Sequence, residues 1–154
     1  MDEKYFNENE QNDLQLLYEF NTQTRLFDSI TPTKVKAQYD ATAVHKNRNF
    51  AIELKKRNIK LGTFPTIMIE DYKFLELLMT KQFENKEPLY INILLDDTIV
   101  IYNLAKLKHK PKFKNLPIQS KGYEKEQYER RYYLPIEDGV IYIKENGKYI
   151  QKEN

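Results

Sequence analysis

The order of the hydrophobic patterns predicts an α/β fold, an α+β sandwich in which helices flank a central mixed β-sheet. Apolar residues at helical spacing open the chain, two-residue alternation follows, and the same change of period recurs further along. A length of 154 residues suits one domain, and no linker-like tract divides the sequence. We therefore expect residues 1–154 to form a single domain.

The first half predicts the order helix, strand, strand, helix. The first helix is expected over residues 13–27, and the Ser/Thr/Pro tract at 29–33 ends it. Apolar and polar residues then alternate over residues 35–41 and 50–55, which is typical of half-buried strands. A long helix is predicted over residues 66–83. Its apolar stripe contains Tyr72, Leu75 and Met79.

The second half predicts mostly strands. Two apolar, β-branched runs at 89–95 and 98–104 indicate a hairpin deep in the sheet. The charged stretch 105–131 is expected to be irregular in part, with a short helix over residues 124–131. The dipeptide Asn146-Gly147 is typical of a type I′ turn and predicts a terminal hairpin.

The composition excludes several kinds of site and of protein. Cysteine is absent and only two histidines occur, which rules out disulfide frameworks, thiolate zinc sites and sites with three histidine ligands. No apolar run approaches the ~18 residues that a membrane span requires. Residues 1–12 are polar and acidic, unlike a signal peptide. We therefore expect a cytoplasmic protein without a membrane partner.

Three residues suggest chemistry: Asp40, Glu53 and Lys55. Because side chains alternate along a strand, Glu53 and Lys55 project from the same face. If the two predicted strands pair as a hairpin, the carboxylates of Asp40 and Glu53 converge, with Lys55 beside them. The strand around Glu53 is otherwise apolar (Ala51-Ile52-Glu53-Leu54), an expensive place for a charge without a role.

This grouping suits metal-assisted hydrolysis of a phosphodiester. Mg²⁺ prefers oxygen ligands and keeps several waters, so one or two carboxylates are enough. We expect Asp40, Glu53 and the main-chain carbonyl of Leu54 to hold Mg²⁺, with Mn²⁺ as a substitute. Lys55 would orient the attacking water or stabilise charge on the transition-state phosphate.

The spacing alone is weak, since the chain contains a second copy of it. Asp71, Glu84 and Lys86 repeat the pattern, but they fall on and just beyond a predicted helix, where Glu84 and Lys86 do not share a face. The alternative for the first set is a cross-strand ion pair on an exposed sheet face. The strand context favours a site at Asp40, Glu53 and Lys55.

These residues resemble the PD-(D/E)xK nuclease superfamily, whose core is αβββαβ with Asp on the second strand and E-x-K on the third. The resemblance spans roughly residues 10–104 and implies a restriction-endonuclease-like core, here with an extra C-terminal β-hairpin. One early strand is missing or merged with the 35–44 run. Tyr39 also stands where a proline often precedes the Asp.

The resemblance implies two further site residues. Members often carry an acidic residue on the first helix near the metal, and Glu10 is the candidate, with Glu19 as the alternative. Members also often carry a Lys or Gln on the helix after E-x-K, where Lys73 fits and would contact a phosphate. Structural explanations remain open for both: a solvated helix-start carboxylate for Glu10, and a snorkelling surface lysine for Lys73.

Two basic clusters suggest where a nucleic acid would lie. Lys56, Arg57 and Lys60 directly follow the motif and are expected to grip the phosphate backbone. A second tract is expected to track more of the nucleic acid and contains Lys106, Lys108 and Lys110. The net charge of only +2 means that solvated loops are the alternative for either cluster.

The resemblance implies a small stand-alone, resolvase-like nuclease of phage or bacterial origin. We expect a Mg²⁺-dependent nuclease that cleaves DNA in repair or recombination, in a bacterial or phage-infected cell. Such enzymes often form homodimers, for which the late hairpins offer an interface. The alternatives are an inactive or repurposed nuclease fold that binds nucleic acid or a protein, and an unrelated α+β interaction protein with an accidental motif.

Overall fold

The computed structural model describes residues 8–34, 37–117 and 128–153. Within these ranges the chain forms two α-helices, ten strands and a short 3₁₀ turn. The elements in chain order are α1 Glu8–Thr24, β1 Ser29–Pro32, β2 Ala41–His45, β3 Arg48–Lys56, β4 Thr66–Glu70, α2 Asp71–Glu84, β5 Glu87–Ile93, β6 Ile99–Asn103, β7 Lys112–Pro117, β8 Tyr128–Pro135, the 3₁₀ turn Ile136–Asp138, β9 Val140–Glu145 and β10 Lys148–Lys152.

The central sheet is mixed, as predicted. Its seven strands run in the order β1-β2-β3-β5-β6-β9-β10. The β3–β5 pair is parallel, and the other neighbours are antiparallel. A parallel pair needs a crossover connection, and here it consists of β4 and α2. The predicted hairpins β5–β6 and β9–β10 both form, and β2 and β3 also pair as a hairpin.

Both faces of this sheet are covered, which explains why β5 is buried along its whole length. On one face, Leu14, Leu17 and Phe20 of α1 pack on apolar side chains of β2, β3, β5 and β6. On the other face lie Phe74 and Leu77 of α2, together with a three-stranded sheet of order β4-β8-β7. The α/β sandwich predicted from the sequence is thus confirmed.

Several predicted elements were wrong in detail. The tract 29–33 contains β1 rather than only ending a helix, and β1 is the early strand that appeared to be missing. Of the predicted strand 35–41, residues 37–40 form a bend and β2 begins at Ala41; residues 35 and 36 lie outside the described residues. Pairing with both β1 and β3 places the strand at Ala41–His45.

The predicted helix 66–83 also begins too early. Thr66–Glu70 is a strand because Ile67 and Ile69 alternate with less buried residues, and α2 follows it. The predicted stripe of Tyr72, Leu75 and Met79 faces solvent, whereas Phe74 and Leu77 face the core. Of the helix predicted over 124–131, the described part belongs to strand β8, and residues 124–127 lie outside the described residues.

Candidate active site

An open cavity of about 290 Å³ lies where β2 and β3 separate. The paired part of β2 and β3 ends at Ala41 and Ile52. Beyond Ile52, the edge of β3 that faced β2 is no longer paired with that strand. The chain before Ala41 bends away and opens the cavity beside the end of β3. Its lining consists of Asp13, Leu14, Asp40, Glu53, Leu54, Lys55 and Lys56.

Asp40 is held against β3 by two hydrogen bonds to the main chain of that strand. Its N–H donates to the carbonyl of Ile52 (2.9 Å), and its Oδ2 accepts a hydrogen bond from the Leu54 N–H (2.8 Å). The carboxylate therefore satisfies the β3 edge where β2 no longer does. Burial raises the pKa of Asp40, although the Leu54 N–H and the ammonium groups of Lys73 and Lys55 oppose the rise. Because the N–H and C=O of one strand residue point to the same edge, we expect the Leu54 carbonyl on this open edge.

Glu53 carries the most perturbed carboxylate in the cavity. Its side chain is 16% exposed, and Oε1 lies 3.7 Å from the Lys73 Nζ. Oε2 is buried without a hydrogen-bond partner. Burial, followed by the negative charge of Asp40, raises the pKa of Glu53 to about 8 despite the attraction of Lys73 and Lys55. Two buried carboxylates therefore share a site with incomplete compensation.

Two lysines face these carboxylates from different elements. Lys55 follows Glu53 by two residues on β3, lines the cavity and is exposed. Lys73 contacts Glu53 from α2, and its Nζ also lies 3.4 Å from Glu76 Oε2 and donates to the Gln38 carbonyl at 3.0 Å. Desolvation lowers the pKa of Lys73, but the charges of Glu53 and Glu76 outweigh it and raise the pKa overall. The structure thus brings Lys73 to the site.

The sequence analysis missed Asp13, the acidic residue of α1 that lines the cavity. Its Oδ1 is buried and has no hydrogen-bond partner. Burial raises its pKa, and the charges of Lys56 and Asp40 act on it in opposite directions. The signal was present, since Asp13 lies four and seven residues before Leu17 and Phe20, on the buried stripe of α1.

Glu10 and Glu19 were the residues expected to supply the acidic group of α1. Glu10 belongs to the first turn of α1, but its side chain lies outside the described residues. Glu19 is exposed, does not line the cavity and acts electrostatically on Tyr149 of β10. Among the described side chains of α1, Asp13 is the carboxylate that lines the cavity.

The donor set is sparse. Over the described ranges, no group of three or more Asp, Glu or His side chains is arranged to hold a metal ion. Two buried carboxylate oxygens, Asp13 Oδ1 and Glu53 Oε2, nevertheless lack partners. Mg²⁺ could be such a partner, because it binds one or two carboxylates and keeps several waters. The residues present therefore fit such an ion, with Asp40, Glu53 and the Leu54 carbonyl as the expected ligands.

The basic residues singled out in the sequence take different positions. Lys56 lines the cavity, and Lys60 and Lys108 are exposed. Arg57 instead points inward: its guanidinium donates to the Met68 carbonyl and the Tyr90 hydroxyl, and to Asn92 Oδ1 at 3.3 Å. Lys106 Nζ lies 4.0 Å from Glu87 Oε1, and Lys110 lines a separate cavity.

The second copy of the motif does not form a site. Asp71 and Glu84 are the first and last residues of α2, so a helix of this length holds them about 20 Å apart. Glu84 and Lys86 both contact the hydroxyl of Tyr39, the residue before Asp40. Glu84 is therefore linked to the site from outside, as a support for the bend that carries Asp40.

Comparisons with known proteins bear on the fold. No family model and no curated protein matches the sequence. A solved structure of Archaeoglobus fulgidus Hjc, a Holliday junction resolvase, is similar at a TM-score of 0.50 and 10% identity, covering 84% of this chain and 92% of that chain. The likeness supports the restriction-endonuclease-like fold. No helix in the described ranges is long and apolar enough to cross a membrane.

Proposed function

We propose that this chain is a metal-dependent nuclease that cleaves DNA. The observation that carries the proposal is the cavity at the end of β3, where Asp40, Glu53 and Lys55 line one space and Glu53 keeps a buried, unpartnered oxygen. The fold shared with the archaeal Holliday junction resolvase supports this function and favours DNA, including branched DNA, as the substrate class.

Asp40, Glu53 and the Leu54 carbonyl would hold Mg²⁺. The chemistry that Mg²⁺ would supply there is polarisation of the phosphate and a lowered pKa of a bound water. The two carboxylates are held by the fold before any ligand arrives: Asp40 by the Leu54 N–H, and Glu53 by the buried strand β3. Prepositioned groups of this kind need little reorganisation during the reaction.

The lysines have separate roles in this proposal. Lys55 is exposed at the cavity and is free to orient the attacking water or to meet charge developing on the phosphate. Lys73 already contacts Glu53 and Glu76, so it holds the Glu53 carboxylate in place and partly neutralises it. Asp13 adds a third negative group on the α1 side of the cavity.

A second candidate is a nuclease fold that binds nucleic acid or a protein without cleavage. In its favour, the carboxylates of the described ranges include no group of three that is arranged to hold a metal ion. The buried Glu53 oxygen without a partner opposes it, because such a group destabilises the fold unless a cation or a proton compensates it. The two candidates differ in one observable, the breakage of phosphodiester bonds.

The test is a cleavage assay on labelled single-stranded, duplex, flap and four-way-junction DNA, with Mg²⁺, Mn²⁺ or EDTA. Asp40→Asn, Glu53→Gln and Lys55→Ala should each abolish metal-dependent cleavage, and Asp71→Asn from the second copy of the motif should not. Cleavage that survives Asp40→Asn would overturn this site. Binding of DNA by the wild type without cleavage on any substrate would support the second candidate.

A further inference from the structure

A second cavity, of about 560 Å³, lies between α2 and the hairpin formed by β7 and β8. Its lining consists of Phe74, Lys110, Pro111, Lys112, Phe113 and Tyr132. Three of these six residues are aromatic and two are lysines, and no acidic side chain is among them. Neither the fold nor the proposed reaction explains this combination.

Phe113 is the unusual member of the cavity. It is a large aromatic residue between two lysines of β7, and it is 53% exposed. The guanidinium of Arg130 sits over its ring at 4.5 Å from the centroid, and the edge-on ring of Tyr132 lies 6.1 Å away. Tyr132 in turn contacts Phe74 of α2 at 4.8 Å. The rings thus form a continuous aromatic surface from β7 to α2.

Among the described side chains, the charged ones that line this cavity or lie over Phe113 are basic. Lys110 and Lys112 line the cavity, and the guanidinium of Arg130 lies over the ring of Phe113. Aromatic rings next to cationic side chains are the features that bind single-stranded nucleic acid, since bases stack on the rings and phosphates meet the cations. A purely apolar partner would gain nothing from the lysines.

We propose that this cavity binds an unpaired base of the nucleic-acid substrate, which stacks on Phe113 while Lys110 and Lys112 contact the adjoining phosphates. The inference rests on the proposed nuclease function and narrows it to DNA that contains single-stranded nucleotides. Helix α2 connects the two places: Lys73 contacts Glu53 in the carboxylate cavity, and Phe74, the next residue, lines the aromatic one.

The absence of tryptophan from the sequence makes a direct test available. Phe113→Trp introduces a single tryptophan, whose emission reports stacking by a base. The control is Phe83→Trp, at an aromatic position of α2 that is 70% exposed and does not line the cavity. Both variants are titrated in EDTA with oligothymidylate and, separately, with a fully paired duplex. Melting curves confirm that each variant is folded.

Oligothymidylate should quench the emission of Phe113→Trp but not that of Phe83→Trp, and the duplex should quench neither. In anisotropy titrations, Phe113→Ala and Phe113→Leu should weaken binding of oligothymidylate about tenfold, as expected for the loss of one stacked base. Phe113→Leu keeps an apolar side chain at the site, so a folding defect in Phe113→Ala does not spoil the test.

Other outcomes would overturn the inference in distinguishable ways. If wild type binds oligothymidylate and Phe113→Leu binds it equally well, stacking at this cavity is wrong, whatever the cleavage assay shows. If wild type cleaves DNA but does not bind oligothymidylate, the nuclease function stands and the single-strand site falls. If neither binding nor cleavage occurs, both proposals fall.

Discussion

The ammonium group of Lys86 donates a 2.9 Å hydrogen bond to the hydroxyl of Tyr39, which itself donates to Glu84 Oε1 at 3.0 Å. Tyr39 immediately precedes Asp40, and the carbonyl of Tyr39 accepts a hydrogen bond from the hydroxyl of Thr33. The bend that carries Asp40 is thus tied to the end of α2. Where a proline would stiffen this bend by fixing its own backbone, Tyr39 does so through its side chain.

Tyr39→Phe should therefore lower the cleavage rate several-fold while lowering the free energy of unfolding by only about 1–2 kcal/mol, since it removes two hydrogen bonds that each have a usual net value of about 1 kcal/mol. The measurement is a pair of assays, single-turnover cleavage and urea unfolding. Glu84→Ala and the double variant complete a mutant cycle, and the two effects on rate should be less than additive. Additive effects would show that Glu84 does not act through Tyr39.

Glu53 predicts an unusual pH dependence of stability in the metal-free protein. Below about pH 4.5 it is protonated in both the native and the unfolded states. Between there and about pH 8, the native pKa, only the unfolded state has lost the proton, so stability falls as the pH rises. Glu53→Gln removes this loss and should be more stable than wild type at pH 9 by a few kcal/mol, at roughly 1.4 kcal/mol per pKa unit.

Urea unfolding in EDTA at pH 4, 6 and 9 measures this difference. The advantage of Glu53→Gln should grow with pH, and Glu145→Gln, at an exposed glutamate of β9, should show no such trend. A variant that is less stable than wild type at pH 9 would mean that the carboxylate is well compensated in the native state.

Mg²⁺ should reverse the destabilisation caused by the charged site. An ion that binds only the folded state at about ten to a hundred times its Kd stabilises by roughly 1–3 kcal/mol, or about 5 °C in Tm for a chain of this size. Thermal melts at pH 8 with and without Mg²⁺ measure the shift. Asp40→Asn and Glu53→Gln should lose it, and Asp97→Asn, in the exposed β5–β6 turn, should keep it. An equal shift in all four proteins would place the ion elsewhere.

Lys56 and Arg57 are adjacent, but replacing each by alanine should have different effects. Arg57 satisfies buried groups, including the hydroxyl of Tyr90, whose side chain is fully buried. Arg57→Ala should therefore lower the free energy of unfolding by about 2–3 kcal/mol, because it leaves buried polar groups unpaired. Lys56→Ala should leave stability within about 0.5 kcal/mol. It should weaken DNA binding and reduce its salt dependence by about one counterion.

Urea unfolding and binding titrations at several salt concentrations separate the two effects. If Arg57→Ala keeps full stability and instead loses affinity for DNA, the guanidinium leaves its inward position when the nucleic acid binds. That result would restore the role first expected for Arg57 from its place after the motif.

The sequence predicted those parts of the fold whose signals are local. Asn146 and Gly147 both adopt positive φ, as the type I′ turn requires, and the alternation from Phe50 to Leu54 correctly identified β3. Alternation failed over residues 37–40, because the pairing partners on β1 and β3 decide where β2 begins. On α2, apolar side chains occur on both sides of the helix, and only tertiary packing selects Phe74 and Leu77 for the core.

In the candidate site, too, local geometry predicts some contacts and tertiary packing decides the others. Glu53 and Lys55 share a strand face, so their proximity follows from local geometry. Lys73 was expected only from the family resemblance, because its contact with Glu53 depends on the position of α2 over β3. Asp13 shares the buried stripe of α1 with Leu17 and Phe20, but its place at the cavity also depends on how α1 crosses the sheet.

The parallel pairing of β3 with β5 also affects the order in which the side chains of the carboxylate cavity come together during folding. The chain from Lys56 to Glu87 must close before these strands pair, and such non-local closure is slow compared with hairpin formation. Asp40 and Glu53 can meet as soon as β2 and β3 form their hairpin, but Lys73 arrives only when α2 docks. The two acids can therefore come together in the hairpin before the lysine that compensates them is in place.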